Sequence, residues 1–291
     1  VTADELYTPR STPKQTLEFI KADLKKSLEY FASSGKDWVN NVTWSKAATQ
    51  MLAAEVYLWS AKVTLGDQTP AAGDLAAAEG YLNEVKGNTR FGLLDDFEKI
   101  FASNNKANKE IILAINYADG ESTSNVSQFL YADAGINLFY DKDGVRLGDP
   151  LNLKSTGLQR YEYTLDFWKS FSDKDKRRDA TFMEYYDDKG VVKGTVVKKF
   201  IGSINATGSR VYDSNEPIYR YADVLLMLAE VENMKGGNPA QYINQIRQRA
   251  YGANYVAATD AYVNADFKTN EYTILREKDK EFVYEGKRWY D

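Results

Sequence analysis

The chain has 291 residues, 43% of them hydrophobic, enough to bury the core of one large domain or two ordinary ones. Its net charge of -5 offers no basic footprint for a nucleic-acid backbone. With no His and no Cys it lacks Ser-His-Asp and Cys-His nucleophiles, thiol redox chemistry and nearly all zinc sites.

Any catalysis would rest on Asp, Glu, Lys, Tyr or a hard metal, whereas 21 Tyr, 13 Phe and 5 Trp favour recognition by flat amphipathic surfaces. No apolar run approaches the roughly 20 residues of a membrane span. The chain opens on Val1 without a signal-like segment, which reads as a processed or excised piece.

The first helix begins at Thr12-Pro13-Lys14-Gln15, a capping box with Pro in the first turn, and Gly35 stops it. Leu17, Ile20, Leu24, Leu28 and Phe31 form its apolar stripe. A second helix starts at a Ser45 cap and carries Ala48, Leu52, Val56, Trp59 and Val63 on one face before Gly66. The third, over 74–85, is built on Ala76, Ala77, Ala78 and Gly80, small residues that let helices approach as in tetratricopeptide hairpins.

Residues 110–117 read as a short strand. From 118 to 162 the chain is rich in Gly, Ser, Asn and Asp without a sustained period, yet it holds Phe129, Tyr131, Phe139, Tyr140 and Tyr161. That aromatic content predicts an ordered, surface-forming excursion. A short helix over 165–171, a charged turn over 173–179 and a hairpin around Asp188-Lys189-Gly190 follow. Helical periodicity returns at Pro217 and ends at Gly236-Gly237. Pro239 starts another helix ended by Gly252, and a last one begins near Asn270. Trp59 and Trp289, at helical spacing, are assigned to the core.

The run PIYRYADVLLMLAEVENMKGG (217–237), then YINQIRQRA (242–250), then ILREKDKEFVYEGKRWYD (274–291) resembles the C-terminal signature of the SusD/RagB family. Upstream, YTPRSTPKQTLEFIKADLKKSL (7–28), VTWSKAATQMLAAEVYLW (42–59) and DKRRDATF (175–182) agree in the same order. The resemblance implies a mostly α fold of tetratricopeptide-like hairpins with a loop-rich excursion containing short strands. It divides one N-terminally truncated SusD-like domain into helical repeats (1–109), a ligand-facing region (110–216) and the C-terminal signature (217–291). It further implies a non-catalytic lipoprotein on the exterior of the Bacteroidetes outer membrane, anchored by an N-terminal lipid outside this chain. Such proteins bind oligosaccharides, or in some branches peptides or other nutrients, for a SusC-like TonB-dependent transporter.

Sugar rings present apolar C–H faces rimmed by hydroxyls, so a platform for them needs exposed aromatics beside amide, carboxylate or guanidinium groups. Tyr131, Asn137, Phe139, Tyr140, Arg146 and Tyr161 supply that mixture, together with Asn152, Gln159 and Arg160, and Trp38 beside Asn40 and Asn41 is a second candidate. The competing reading makes each aromatic an anchor of its loop to the core.

Glu277, Glu281 and Glu285 recur at four-residue steps, where like charges repel and demand partners. Lys278, Lys280, Arg288 and Arg247 or Arg249 are the candidates; a glycoside-hydrolase carboxylate pair is the functional alternative. A protein-only helical-repeat adaptor is a third class. Asp141-Lys142-Asp143-Gly144 with Asp149 resembles a calcium loop lacking its final acidic ligand, and a plain turn explains it equally well. No other cofactor is expected. Lys174, Lys176, Arg177 and Arg178 alternate with Asp173, Asp175 and Asp179, a solvated or helix-capping cluster and not a nucleic-acid patch.

Overall fold

The structure, a computed structural model, describes residues 9–132, 135 and 138–288, and it is mostly helical. The N-terminal helices are α1 (Pro13–Ser34), α2 (Lys46–Lys62) and α3 (Asp74–Lys86). Thr12 and Gln15 form the expected capping box, Gly35 closes α1 at φ 63°, and Ser45 caps α2 through the Ala48 N–H. After β1 (Ile111–Ile115) and the excursion come α4 (Leu165–Lys169), α5 (Lys176–Thr181) and the pair β2 (Phe182–Tyr186) and β3 (Val192–Val197). The chain continues through β4 (Ser203–Ile204), β5 (Arg210–Val211) and β6 (Glu216–Arg220). It ends in α6 (Tyr221–Met234), α7 (Ala240–Tyr251), α8 (Ala257–Asp260) and α9 (Phe267–Glu281).

One core joins both helical ends of the chain: Met51 and Leu58 of α2, Leu82 of α3, Leu225 and Leu228 of α6, Ile243 and Ile246 of α7, and Ile274 of α9. Helix α6 is buried almost all round, which its apolar run permits. The buried face of α2 is Ala47, Ala48, Met51, Ala54 and Leu58, about one residue round from the expected stripe. These residues and Ala78 of α3 belong to the same core, whereas Leu52, Val56 and Trp59 stay half-buried. Trp59 is therefore not core; it lines a cleft of about 390 Å³. Gly80 faces open space, whereas Ala78 of the same small-residue run is fully buried. Trp289 lies outside the described residues.

Helix α6 starts at Tyr221, not Pro217, because residues 216–220 pair antiparallel with β1, Pro217 opposite Ala114. A proline at this sheet edge forfeits no essential ladder bond. Helix α9 starts three residues before Asn270, at an Asp266 cap that accepts from the Thr269 N–H. The charged segment over 173–179 is only partly a turn, since Asp175 caps α5.

The excursion is ordered around a second core that includes Phe97, Phe101, Leu130, Tyr131, Phe139, Leu153 and Phe200. Its backbone is packed tightly at Gly157, where a Cβ would sit 2.0 Å from the Tyr131 carbonyl oxygen. Gly157→Ala is expected to cost about 1–3 kcal/mol by overpacking, read as a lower urea midpoint with unchanged slope.

Between the two cores lies a buried ionic cluster. Arg220 donates to Glu110 (2.9 Å), to Glu281 (2.6 Å) and through two nitrogens to Glu285 (2.9 and 3.0 Å). Of the solvated and helix-capping readings of its cluster, the solvated one fails at Arg177, which is fully buried: Asp175 grips it at 2.9 and 2.7 Å, and Glu277 and Glu281 each accept one more bond. Arg249 bridges Glu110 and Glu281, and Lys199 donates to Glu285 (2.6 Å) and to the Val283 carbonyl (2.9 Å).

Candidate functional site

The excursion returns to the C-terminal half through a small composite sheet. β2 and β3 pair antiparallel around the expected turn, where the Asp187 carboxylate accepts from the Lys189 and Val191 N–H groups at 3.0 and 2.9 Å. Residues 139–147 form a matching hairpin whose Asp141 carboxylate accepts from the Asp143 and Val145 N–H groups, both at 2.9 Å. Tyr140 and Tyr186 exchange backbone hydrogen bonds of 3.1 and 2.9 Å, joining the hairpin to β2. The turns touch so closely that a Cβ on Gly190 would lie 2.6 Å from the Lys142 oxygen; both Gly144 and Gly190 also hold φ near 75°.

Strand alternation sorts the side chains onto two faces. Phe139 and Tyr185 point inward and stack at 3.9 Å, with Tyr131 edge-on to Phe139 at 5.8 Å. Tyr131 donates to the Asp149 carboxylate and accepts from the Leu151 N–H at 2.8 Å; Asp149 also accepts from the Leu153 and Lys154 N–H groups. Tyr131 and Phe139, expected at the ligand, are thus buried supports, because their ring area packs the second core beneath the sheet.

Tyr140, Tyr186 and Arg146 share the outer face, set there by the Tyr140 pairings with both other residues. The Arg146 guanidinium lies 5.4 Å from the Tyr140 ring centre. Glu184, one pleat from Tyr186, completes the row; burial first, and then this carboxylate, push the Tyr186 hydroxyl up. Two amphipathic rings flanked by a guanidinium donor and a carboxylate acceptor can stack on and hydrogen-bond a polyhydroxylated ring. At the sheet's margin Glu162 accepts from Gln159 (2.8 Å) and the Tyr185 hydroxyl (3.2 Å), which burial and Glu162 push up to about 12. Tyr161 is 56% exposed beside Phe129.

Of the expected ligand residues, Tyr140 and Arg146 are brought together, and Tyr161 stands exposed elsewhere on the excursion. Trp38 is on the helical core, edge-on to Phe91 at 5.1 Å and covered by the Arg90 guanidinium at 5.3 Å. Asn137 lies outside the described residues. Tyr186 and Glu184 were missed, although alternation in FMEYY before the predicted turn places them on one face. Asp141 and Asp149 serve as acceptors for backbone N–H groups, and the described residues contain no group of three or more acidic side chains able to hold a metal.

Glu277 and Glu281 are buried and bound by arginines, as is the Glu285 side chain, the structural reading of the three carboxylates. Arg247 and Arg249 are partners as expected; Lys278 instead pairs with Glu230, Lys280 donates to the Ser170 carbonyl and Arg288 pairs with Asp279. The sequence reading did not find Arg177, Lys199 or Arg220, which are remote in the chain.

Burial opposes charge on Glu281, yet Arg249, Arg220 and Arg177 outweigh it and hold this carboxyl far below its ordinary range. Stability from Glu281 is therefore present above about pH 4.3 and lost as pH falls through the folded value. Burial lowers Lys199 to about 8 against the pull of Glu285. Between about pH 8 and 10 the unfolded chain keeps this proton while the folded one releases it, so stability rises with pH at up to roughly 1.4 kcal/mol per unit. Above about pH 10 the raised Tyr185 reverses the sign, since the unfolded chain ionises its tyrosines first. Urea unfolding at pH 7.5, 9.5 and 11 is expected to show a maximum near the middle value, flattened in Lys199→Met. A steady fall from pH 7.5 in the unsubstituted protein would contradict the assignment.

A model of the SusD family matches residues 189–291. SusD-like protein P2 of Formosa agariphila is 26% identical over 314 residues, covering 99% of this chain and 58% of the relative. A SusD superfamily protein of Bacteroides fragilis is 44% identical, with a TM-score of 0.93 over 98% of this chain and 62% of that one. B. fragilis NanU is 35% identical, with a TM-score of 0.85 over 97% of this chain and 62% of that one. The chain thus spans about three fifths of the length of these relatives. Its helical core and its loop-rich region superpose together on the two B. fragilis structures, and the chain belongs to the SusD superfamily.

Proposed function

We propose that this chain binds oligosaccharide or polysaccharide without altering it, on the outer face of the hairpin sheet. What carries this reading is the Tyr140–Tyr186 pair, both rings partly buried, flanked by Arg146 and Glu184 on one outer face. Membership of a family known for glycan binding supports the same reading. In this account the protein is lipid-anchored at the exterior of the outer membrane and delivers its ligand to a SusC-like TonB-dependent transporter. The burial of Glu277, Glu281 and Glu285 favours holding over hydrolysis, because a glycosidase needs two carboxyls open to the scissile bond. Calorimetry against a panel of oligosaccharides, with reducing-end release measured in parallel, tests the reading. Binding heat without product release is the expected result; absence of heat throughout, or product release, contradicts it.

A further inference from the structure

A cleft of about 620 Å³ opens between β6, the chain after α9 and the aromatic cluster of α4, and its lining shares no residue with the hairpin sheet. Tyr163, Phe167 and Tyr284 form an aromatic side of its lining. The rings are held in place: the Tyr163 hydroxyl accepts from the Tyr284 N–H at 3.1 Å, and Phe129 packs edge-on to Tyr284 at 4.6 Å. Glu216 lines the same cleft from β6.

Among the described residues the charges around Glu216 do not balance. Lys278 pairs with Glu230 at 2.5 Å, Arg288 with Asp279 at 2.6 Å, and Glu285 is bound by Arg220 and Lys199. Among the described residues the Glu216 carboxylate has no hydrogen bond or ion pair. Its electrostatic neighbours are Tyr117 and Tyr284, which offer no cation. Burial raises its pKa, as expected of a carboxylate missing a counter-charge. A half-buried, unpaired carboxylate in a cleft walled by aromatic rings is the environment that recognises organic cations, by ion pairing on one side and ring quadrupoles on the other. The volume lies within the range of small-molecule sites, about 300–1,000 Å³.

We propose that this cleft binds an organic ammonium group, seated between the Glu216 carboxylate and the rings of Tyr163, Phe167 and Tyr284. Binding completes a charge pair that the described residues leave open. It is independent of glycan binding on the hairpin sheet, since no residue is shared.

Titration calorimetry with choline and with its neutral isostere 3,3-dimethylbutan-1-ol separates charge recognition from apolar filling. Choline is expected to bind about tenfold or more tighter than the alcohol. Nα-acetyl-lysine amide, run in parallel, shows whether the site takes quaternary or primary ammonium; preference for either cation over the alcohol supports the proposal. Glu216→Gln is expected to erase the preference while leaving any glycan heat and the melting temperature unchanged. In the unsubstituted protein the preference should fade as pH falls and Glu216 takes up a proton, a check that needs no variant. Equal affinity for choline and the alcohol, no heat from either cation, or a preference that survives Glu216→Gln overturns it.

Discussion

Replacing Arg220 by alanine is expected to lower the melting temperature by about 10 °C or to prevent folding altogether. The side chain makes five hydrogen bonds, to Glu110, Glu281, Glu285 and the Glu281 carbonyl, and all four charged groups are fully buried. Deleting it removes one cation shared by three buried carboxylates and leaves only Arg249, Arg177 and Lys199 to hold them away from water, and breaking a buried pair from one side costs about 3–5 kcal/mol. Arg220→Lys is expected to rescue only part of the loss, because an ammonium point charge cannot span acceptors arranged for a planar fork. The control is Arg178→Ala: its partners Asp173 and Asp179 are largely solvent-exposed, and such surface pairs are worth about 0–1 kcal/mol. Thermal unfolding followed by circular dichroism compares the three variants. If Arg220→Ala shifts the midpoint no more than Arg178→Ala, the cluster does not join the two cores.

The second large effect concerns ligand affinity. Tyr140→Ala combined with Tyr186→Ala is expected to weaken glycan binding by about 30-fold or more, each ring being worth about 0.5–1.5 kcal/mol beyond its buried area. Both rings are only partly buried and stand on the outer face, while the supports Phe139, Tyr185 and Tyr131 stay in place beneath them. The melting temperature should therefore move little. Tyr131→Ala is expected to do the opposite, lowering stability through the lost packing and the released Asp149 network, with any affinity change following from the collapsed loop. Affinity loss in the double variant without a stability loss separates platform from anchor; equal binding by the double variant places the ligand elsewhere.

Local features were legible in the sequence wherever one short segment decides its own conformation. The Thr12–Gln15 capping box, the Ser45 cap, the left-handed Gly35 and the hairpin around residues 188–190 all depend on neighbours within about four positions. What depended on a remote partner was not legible. The buried side of α2 was misplaced because the alanines that face α3 carry a weaker periodic signal than Leu52, Val56 and Trp59. Pro217 reads as a helix start until β1, about a hundred residues earlier, claims the segment as its pairing strand. Arg177 looks solvated among alternating charges until α9 delivers Glu277 and Glu281 onto it.

The ligand face divides in the same way. Aromatic content marked the excursion, but it could not tell Tyr140 from Phe139, adjacent residues that the pleat sends to opposite sides. Only the backbone pairing of Tyr140 with Tyr186 assigns the outer face, and that pairing also adds Tyr186 and Glu184 to the site. Phe139 and Tyr131 were counted as contacts because a buried aromatic in a loop has the same sequence signature as an exposed one.

The proposed seat of the glycan is the Tyr140–Tyr186 pair. A crystal structure of the chain with the oligosaccharide that gives the greatest calorimetric heat tests it most directly. A sugar ring stacked on one or both tyrosines, with hydroxyls within hydrogen-bond distance of Arg146 or Glu184, is the expected result. A sugar seated over Trp38 on the helical half, with the hairpin sheet bare, would contradict it.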